Sequence, residues 1–169
     1  MIISSRTGNT LKIREASIDD VPLILTFIRE LAEYEREPKA VRATEEDLIR
    51  DGFSENPKFR AIIAEWDGIP AGMAFFFHNY STWQGRHGLF LEDFFVRPRF
   101  RRKGVGKALM ARLAQIAVAE NCYGMRWEVL DWNKTAIDVY RRLGAQFREH
   151  WRVMQITGED LKRLSETET

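Results

Sequence analysis

Apolar positions recur along this chain in two rhythms. Val21, Leu25, Ile28 and Ala32 fall at helical spacing behind Ser17 and Asp20, the two ends of a capping box, and Pro38 marks where that helix stops. Val105, Leu109, Leu113 and Ile116 recur at i, i+4, i+8 and i+11, which predicts a second helix ending near Asn121. Between them the pattern changes to continuous apolar runs. FRAIIAEW (59–66) and IPAGMAFFF (69–77) flank Asp67-Gly68, a two-residue type I′ turn signal, and so predict a β-hairpin. GLFLEDFFV (88–96) is almost wholly apolar, as expected of a strand buried on both faces. Weaker signals complete the outline: strands at LKIR (11–14), MRWEVL (125–130) and residues 151–156, a short capped helix from Thr44 to Gly52, and a helix from Lys134 to Leu143 stopped by Gly144. Strand, helix and strand between residues 88 and 130 make a βαβ unit, which requires those two strands to be parallel. The expected fold is one mixed α/β domain over residues 11–164, with residues 1–10 and 165–169 as flexible ends.

Composition narrows the classes open to such a domain. With 169 residues, 44% hydrophobic and 30% charged, the chain has the profile of a globular protein large enough for a complete small enzyme. No transmembrane or secretory segment is legible, so a cytoplasmic location is expected. One cysteine, Cys122, excludes an internal disulfide, and with only three scattered histidines no zinc-like ligand cluster is expected, hence no metal. A net charge of +1 argues against a nucleic-acid backbone as the main partner. The charges are nevertheless segregated. Residues 30–47 hold seven acids (Glu30, Glu33, Glu35, Glu37, Glu45, Glu46, Asp47), whereas residues 97–112 hold seven bases and no acid. One region suits a cation and the other an anion.

The basic region opens the second helix. Unpaired N–H groups and the positive dipole end at a helix N-terminus suit phosphate, Gly104 and Gly106 allow close backbone approach, and Arg101, Arg102, Lys103 and Lys107 add charge. This is neither a Walker A loop, which needs G-x-x-x-x-G-K-[ST], nor a dinucleotide fingerprint, since Leu109 stands where the third glycine belongs. The preceding strand carries Glu92 and Asp93 amid apolar neighbours, and carboxylates in such a place need hydrogen bonds or a task. Strand alternation assigns them to opposite faces, Glu92 with Phe90 and Phe94, Asp93 with Leu91 and Phe95. On that basis they are not expected to form a side-by-side dyad.

Taken together, these motifs resemble the GNAT superfamily of N-acetyltransferases, whose shared signature is Q/R-x-x-G-x-G/A on a strand-loop-helix. Here FLEDFFV (90–96) leads into R-x-x-G-x-G (101–106), followed by Trp132-Asn133 and the I-x-x-Y-x-R-x-G-A run of residues 137–145. With ELAEYE (30–35) and TEEDLIRDGF (44–53), they are similar to the spermidine/spermine, or diamine, acetyltransferase branch. The resemblance implies acetyl-CoA as co-substrate, with pyrophosphate on the amides of Arg102, Lys103, Gly104, Val105, Gly106 and Lys107 beside Arg101. It also implies a pantetheine arm paired along Phe94, Phe95 and Val96, and further coenzyme contacts at Asn133, Lys134, Thr135 and Ala136. Tyr140 matches the general acid that protonates the departing thiolate. Glu92 matches a substrate-site glutamate and is the expected base, with Glu128 in reserve, because an amine of pKa about 10.4 must lose a proton before it attacks. Tyr34 and Glu35, with the strand residues Arg126, Trp127 and Glu128, are the expected amine contacts. A polyamine is the leading substrate, with thialysine or another small amine as alternative. A nucleic-acid-binding module and a non-catalytic acyl-CoA sensor are the readings from other classes. The resemblance also implies a homodimer, with residues 151–156 at the contact.

Overall fold

Six strands form one sheet in chain order in the computed structural model, which describes residues 2–4 and 8–167. They are β1 (Ile2–Ser4), β2 (Thr10–Glu15), β3 (Arg60–Trp66), β4 (Ile69–Ser81), β5 (Arg86–Val96) and β6 (Met125–Trp127). Neighbours from β1 to β5 are antiparallel and β5–β6 is parallel, as the βαβ pattern requires. The helices are α1 (Val21–Tyr34), α2 (Glu45–Gly52), α3 (Val105–Ala119), α4 (Lys134–Arg142) and α5 (Gly158–Ser165). The chain divides into two compact units, one through Glu128 and one from Val129 onward. Among the described residues no helix is long and apolar enough to cross a membrane.

The first unit is a sheet covered on both faces. Val21, Ile24, Phe27 and Leu31 of α1 and Leu48 of α2 share one core with Phe59, Ala61, Ile63, Met73 and Phe95. Alternation along the strands turns Ile62, Ala74, Phe76 and Leu91 to the opposite face, where α3 lies over the sheet with Val105, Leu109, Leu113 and Ile116 buried. The β3–β4 turn has φ of 50° at Asp67 and 77° at Gly68, the two positive values of a type I′ turn. Asp67 also ties this turn to β2, since its Oδ1 accepts from the Thr10 N–H at 2.7 Å. Ser17 and Asp20 form the expected capping box, on a 3-10 turn leading into α1, and Arg14 grips the Asp20 carboxylate at 2.6 and 2.7 Å.

Three expectations at the periphery are corrected. Residues 151–156 form no strand, and their apolar side chains are exposed, Trp151 by 60% and Met154 by 91%. A largely apolar run becomes a strand only where a free edge offers hydrogen bonds. Met125 to Trp127 is half the length of the strand expected over 125–130. At the start of the chain, Ile2–Ser4 pair with β2, Ile2 opposite Lys12 and Ser4 opposite Thr10, so part of the expected flexible end is ordered by backbone bonding that needs no particular side chain. Residues 1, 5–7 and 168–169 of the expected flexible ends lie outside the described residues.

Candidate active site

A bulge in β5 builds the acidic part of the site. On the β4–β5 ladder Phe75 faces Asp93 and Phe76 faces Leu91, so Glu92 is the extra residue. The insertion breaks the alternation expected from sequence. Asp93 takes the face of its partner Phe75, the α1–α2 side, and Glu92 lines a cleft on that same side with Phe75 and Phe77. The two carboxylates are therefore neighbours, not residents of opposite faces, and the expectation that they could not act together is overturned. Burial, with Glu92 and Glu35 as the charged neighbours, pushes the Asp93 carboxyl up to about 6. Burial and then Glu128 raise Glu92, and burial raises Glu35.

The cleft encloses about 550 Å³. Its floor is aromatic: Phe59 and Phe75 stack at 4.1 Å, and Phe77 stacks on Phe90 at 5.1 Å. Its rim brings Asp47, Asp51 and Lys58 to Glu92. None of these phenylalanines, nor Asp51 and Lys58, could be read from the sequence as site residues, since their patterns are those of ordinary strands and an ordinary helix. The acidic stretch from α1 into α2 is also less available than its composition indicated. Glu30 is clamped by Arg97, which donates from Nε at 2.8 Å and Nη2 at 2.7 Å, and Arg50 engages both Asp47 and Asp51.

Just past the bulge, at the C-terminal end of β5, the chain turns into the basic loop. Gly104, with φ of 86°, sits at the N-cap of α3, and Arg102 has φ of 62°. Glycine is needed at 104 for its backbone conformation, because a Cβ there would meet nothing within 4 Å. Gly106 differs: a Cβ there would touch the Phe94 ring and Val96 at 3.7 Å, an ordinary contact that the backbone could accommodate. Arg101 donates from Nε to the Val96 carbonyl at 2.9 Å, and its guanidinium stacks over Tyr34 at 4.6 Å. Lys103 lies 5.4 Å from the Trp66 ring centre and 5.5 Å from that of Phe100. Tyr34 thus supports the loop, in addition to ending the helix that carries Glu35. The parallel ladder to β6 stops at Leu91–Trp127, while β5 continues to Val96 against β4. The two strands cease to pair where Glu92 bulges.

In the second unit, Asn133 caps α4, its Oδ1 accepting from the Ala136 N–H at 3.2 Å. Ala136, buried Ile137 and half-buried Tyr140 fall at i, i+1 and i+4, placing Tyr140 on the apolar stripe of that helix. Lys134 and Thr135 are exposed in its first turn. In the first unit, Arg126 and Glu128 are exposed and Trp127 is half-buried. Elsewhere in that unit, His78, His87 and Cys122 converge, contrary to the scatter of the histidines in sequence.

A bulged strand with paired carboxylates above an aromatic cleft, running into a glycine-turned helix N-terminus rimmed by bases, combines a cation-attracting site with an anion-holding loop. Comparison with known proteins bears on this combination. The acetyltransferase (GNAT) family model matches residues 24–145. Thialysine N-epsilon-acetyltransferase of Bos taurus is 39% identical over 164 residues, covering 90% of this chain and 96% of that protein. Spermidine/spermine N(1)-acetyltransferase-like protein 1 of Homo sapiens is 36% identical over 160 residues, 89% of this chain but 23% of that longer protein. Among solved structures, an integron cassette protein from the mobile metagenome of V. cholerae superposes with a TM-score of 0.78 at 26% identity, covering 93% of this chain and 98% of that one. The chain belongs to the acetyltransferase (GNAT) family.

Proposed function

We propose that residues 11–164 form an acetyltransferase domain that moves an acetyl group from acetyl-CoA to a side-chain amine of a small amino acid of the thialysine type, by direct attack in a ternary complex. The observation that carries this reading is the cleft itself, where the bulged Glu92 meets three phenylalanines, two aspartates and Lys58. An aliphatic or thioether chain would lie on the phenylalanines. A polyamine carries only positive charge, whereas an amino acid also brings a carboxylate, for which Lys58 is a partner. The names of the cattle and other thialysine-acetylating relatives support this substrate class, and it replaces polyamine as the leading substrate. Polyamine is the second reading, favoured by the excess of acids around Glu92.

Acetyl-CoA would supply the thioester that the amine attacks. The chain's own contributions are binding, orientation and proton handling. Amides of residues 102–107 hold the pyrophosphate, helped by the left-handed turns at Arg102 and Gly104. Backbone groups of Phe94, Phe95 and Val96 line the arm, and an N–H there polarises the carbonyl under attack. Asn133 to Ala136 add coenzyme contacts. Glu92 accepts the ammonium proton, directly or through water, beside Asp93, and Tyr140 protonates the departing thiolate. Positioned proton transfers of this kind contribute about 10²–10⁴-fold, and orientation of two bound substrates supplies the rest. The active species is a homodimer in this proposal.

Thiol release from acetyl-CoA, followed with thialysine, lysine, ornithine, putrescine, spermidine and spermine, tests the assignment. The highest kcat/KM is expected with thialysine, and Lys58→Ala is expected to lower it about tenfold without lowering that for spermidine. A spermidine preference unaffected by Lys58 would replace this reading by the polyamine one. Tight coenzyme binding with no turnover on any amine would replace both by a sensor.

A further inference from the structure

On the face of the sheet away from the acidic cleft, the β4–β5 hairpin meets the end of α3. The ladder pairs His78 with Leu89 and Tyr80 with His87, so His78 and His87 are diagonal neighbours on the side of Phe76. Their ring centres are 4.9 Å apart, edge to face. Cys122, just past α3, completes the group: one ligand-type atom from each of the three residues lies within 4.8 Å of the other two.

Glu120, the C-cap of α3, engages both rings. Its backbone carbonyl lies 2.9 Å from His87 Nε2. A carbonyl only accepts, so Nε2 bears the proton and Nδ1 keeps the lone pair. Its carboxylate Oε2 lies 2.9 Å from His78 Nε2. That contact is an ion-pair approach without hydrogen-bond alignment, so Oε2 is a buried anionic oxygen lacking a hydrogen bond. The other oxygen, Oε1, accepts from Arg60 Nη1 at 2.6 Å. The Glu120 carboxylate, paired with Arg60, thus adds negative charge beside two imidazoles and a thiol.

Imidazole and thiolate ligands select a borderline-soft divalent ion, and a carbonyl or carboxylate on the far nitrogen of a histidine fixes its tautomer and aim for ligation. The negative dipole end of α3 adds attraction for positive charge. We propose that His78, His87 and Cys122 bind a zinc-class divalent cation through two imidazole nitrogens and the thiolate, with the Glu120 carboxylate balancing the charge. Zinc–nitrogen distances of about 2.0–2.1 Å and zinc–sulfur of about 2.3 Å place tetrahedral ligands about 3.5 Å apart, so binding draws the three atoms together by roughly an ångström. The exposed His78 can rotate to allow this. Sulfur ligates as the thiolate, so binding breaks the Cys122 S–H bond, forms sulfur–metal and releases the proton to water. The ion fastens the C-terminal end of α3 to the hairpin, and α3 carries the basic loop at its other end, so the role is structural.

Cobalt(II) added to the reduced full-length chain tests this. The expected result is a thiolate-to-cobalt charge-transfer band saturating at one equivalent, removed by zinc(II), with about one proton released per ion in weak buffer. Cys122→Ser should abolish the band, and His78→Gln and His87→Gln should each weaken binding at least tenfold, while circular dichroism without metal stays that of the parent. Absence of the band in the parent chain would overturn the site. So would a band that survives in the double histidine variant, because the thiol alone would then account for it.

Discussion

Asp93 is the residue whose environment departs furthest from what its neighbours in sequence indicate. Its carboxyl titrates near 6, against an ordinary value of 3.8, because burial and the adjacent Glu92 and Glu35 disfavour the charged form. Between those values the folded chain holds more protons than the unfolded chain, so this group's contribution to stability falls as pH rises toward 6 and then stays low. Asp93→Asn removes the buried charge, and a shift of this size corresponds to a gain of up to about 3 kcal/mol above pH 6. Thermal unfolding at pH 5 and pH 7.5 should show the gain mostly at the higher pH. The same variant should lose the rising limb of kcat/KM near pH 6, since the ionised pair attracts and deprotonates the ammonium substrate. Tyr140, by contrast, is argued from its motif and its stripe on α4. Tyr140→Phe should lower kcat about 10²-fold, the lower bound for a positioned acid, with acetyl-CoA affinity unchanged. Unchanged kcat under chemistry-limited conditions would remove Tyr140 from that role.

At the level of elements, the strand-loop-helix from β5 into α3 gives two glycines two different reasons. Gly104 occupies a left-handed conformation in open space, so Gly104→Ala should cost about 1–2 kcal/mol of stability and distort the turn. Gly106 has room for a Cβ against Phe94 and Val96, and alanine favours a helix, so Gly106→Ala should leave stability equal or improved by up to about 1 kcal/mol. It should also leave the KM for acetyl-CoA unchanged, since the signature accepts glycine or alanine at this position, whereas Gly104→Ala should raise it by distorting the loop. Equal losses of stability and affinity in both variants would contradict this division. The bulge at Glu92 is the second device at this scale. One inserted residue ends the pairing with β6 and turns two carboxylates to one side.

For the molecule as a whole, the exposed stretch over residues 151–156 matters most. Trp151, Val153, Met154 and Ile156 present apolar surface that a second copy would cover in the proposed homodimer. Sedimentation should show a dimer whose dissociation constant rises at least tenfold in Met154→Glu, since that side chain is 91% exposed here and would be buried there. A monomer at all concentrations would exclude the dimer. The two proposed sites lie on opposite faces of the sheet, the cleft of Glu92 on the α1–α2 side and the histidine–cysteine group on the α3 side.

Local rules written in the sequence were sufficient for the elements and the phosphate-type loop. Helical stripes, capping boxes, the Asp67-Gly68 turn and the spacing of Gly104 and Gly106 each depend on a few consecutive residues, so periodicity and turn chemistry expose them. The family motifs over residues 90–145 are equally local. Tertiary structure alone decided which distant side chains meet. A bulge is a mismatch between two strands and has no signature in one of them, so the union of Glu92 and Asp93 was invisible, as was the aromatic floor assembled from β3, β4 and their approach. His78, His87 and Cys122 are ordinary residues in a strand, a strand and a loop until the ladder register and the end of α3 bring their atoms within 4.8 Å. The apolar run of residues 151–156 had the opposite fate: a segment suited to a strand is only half of one, because its hydrogen bonds must come from an edge elsewhere.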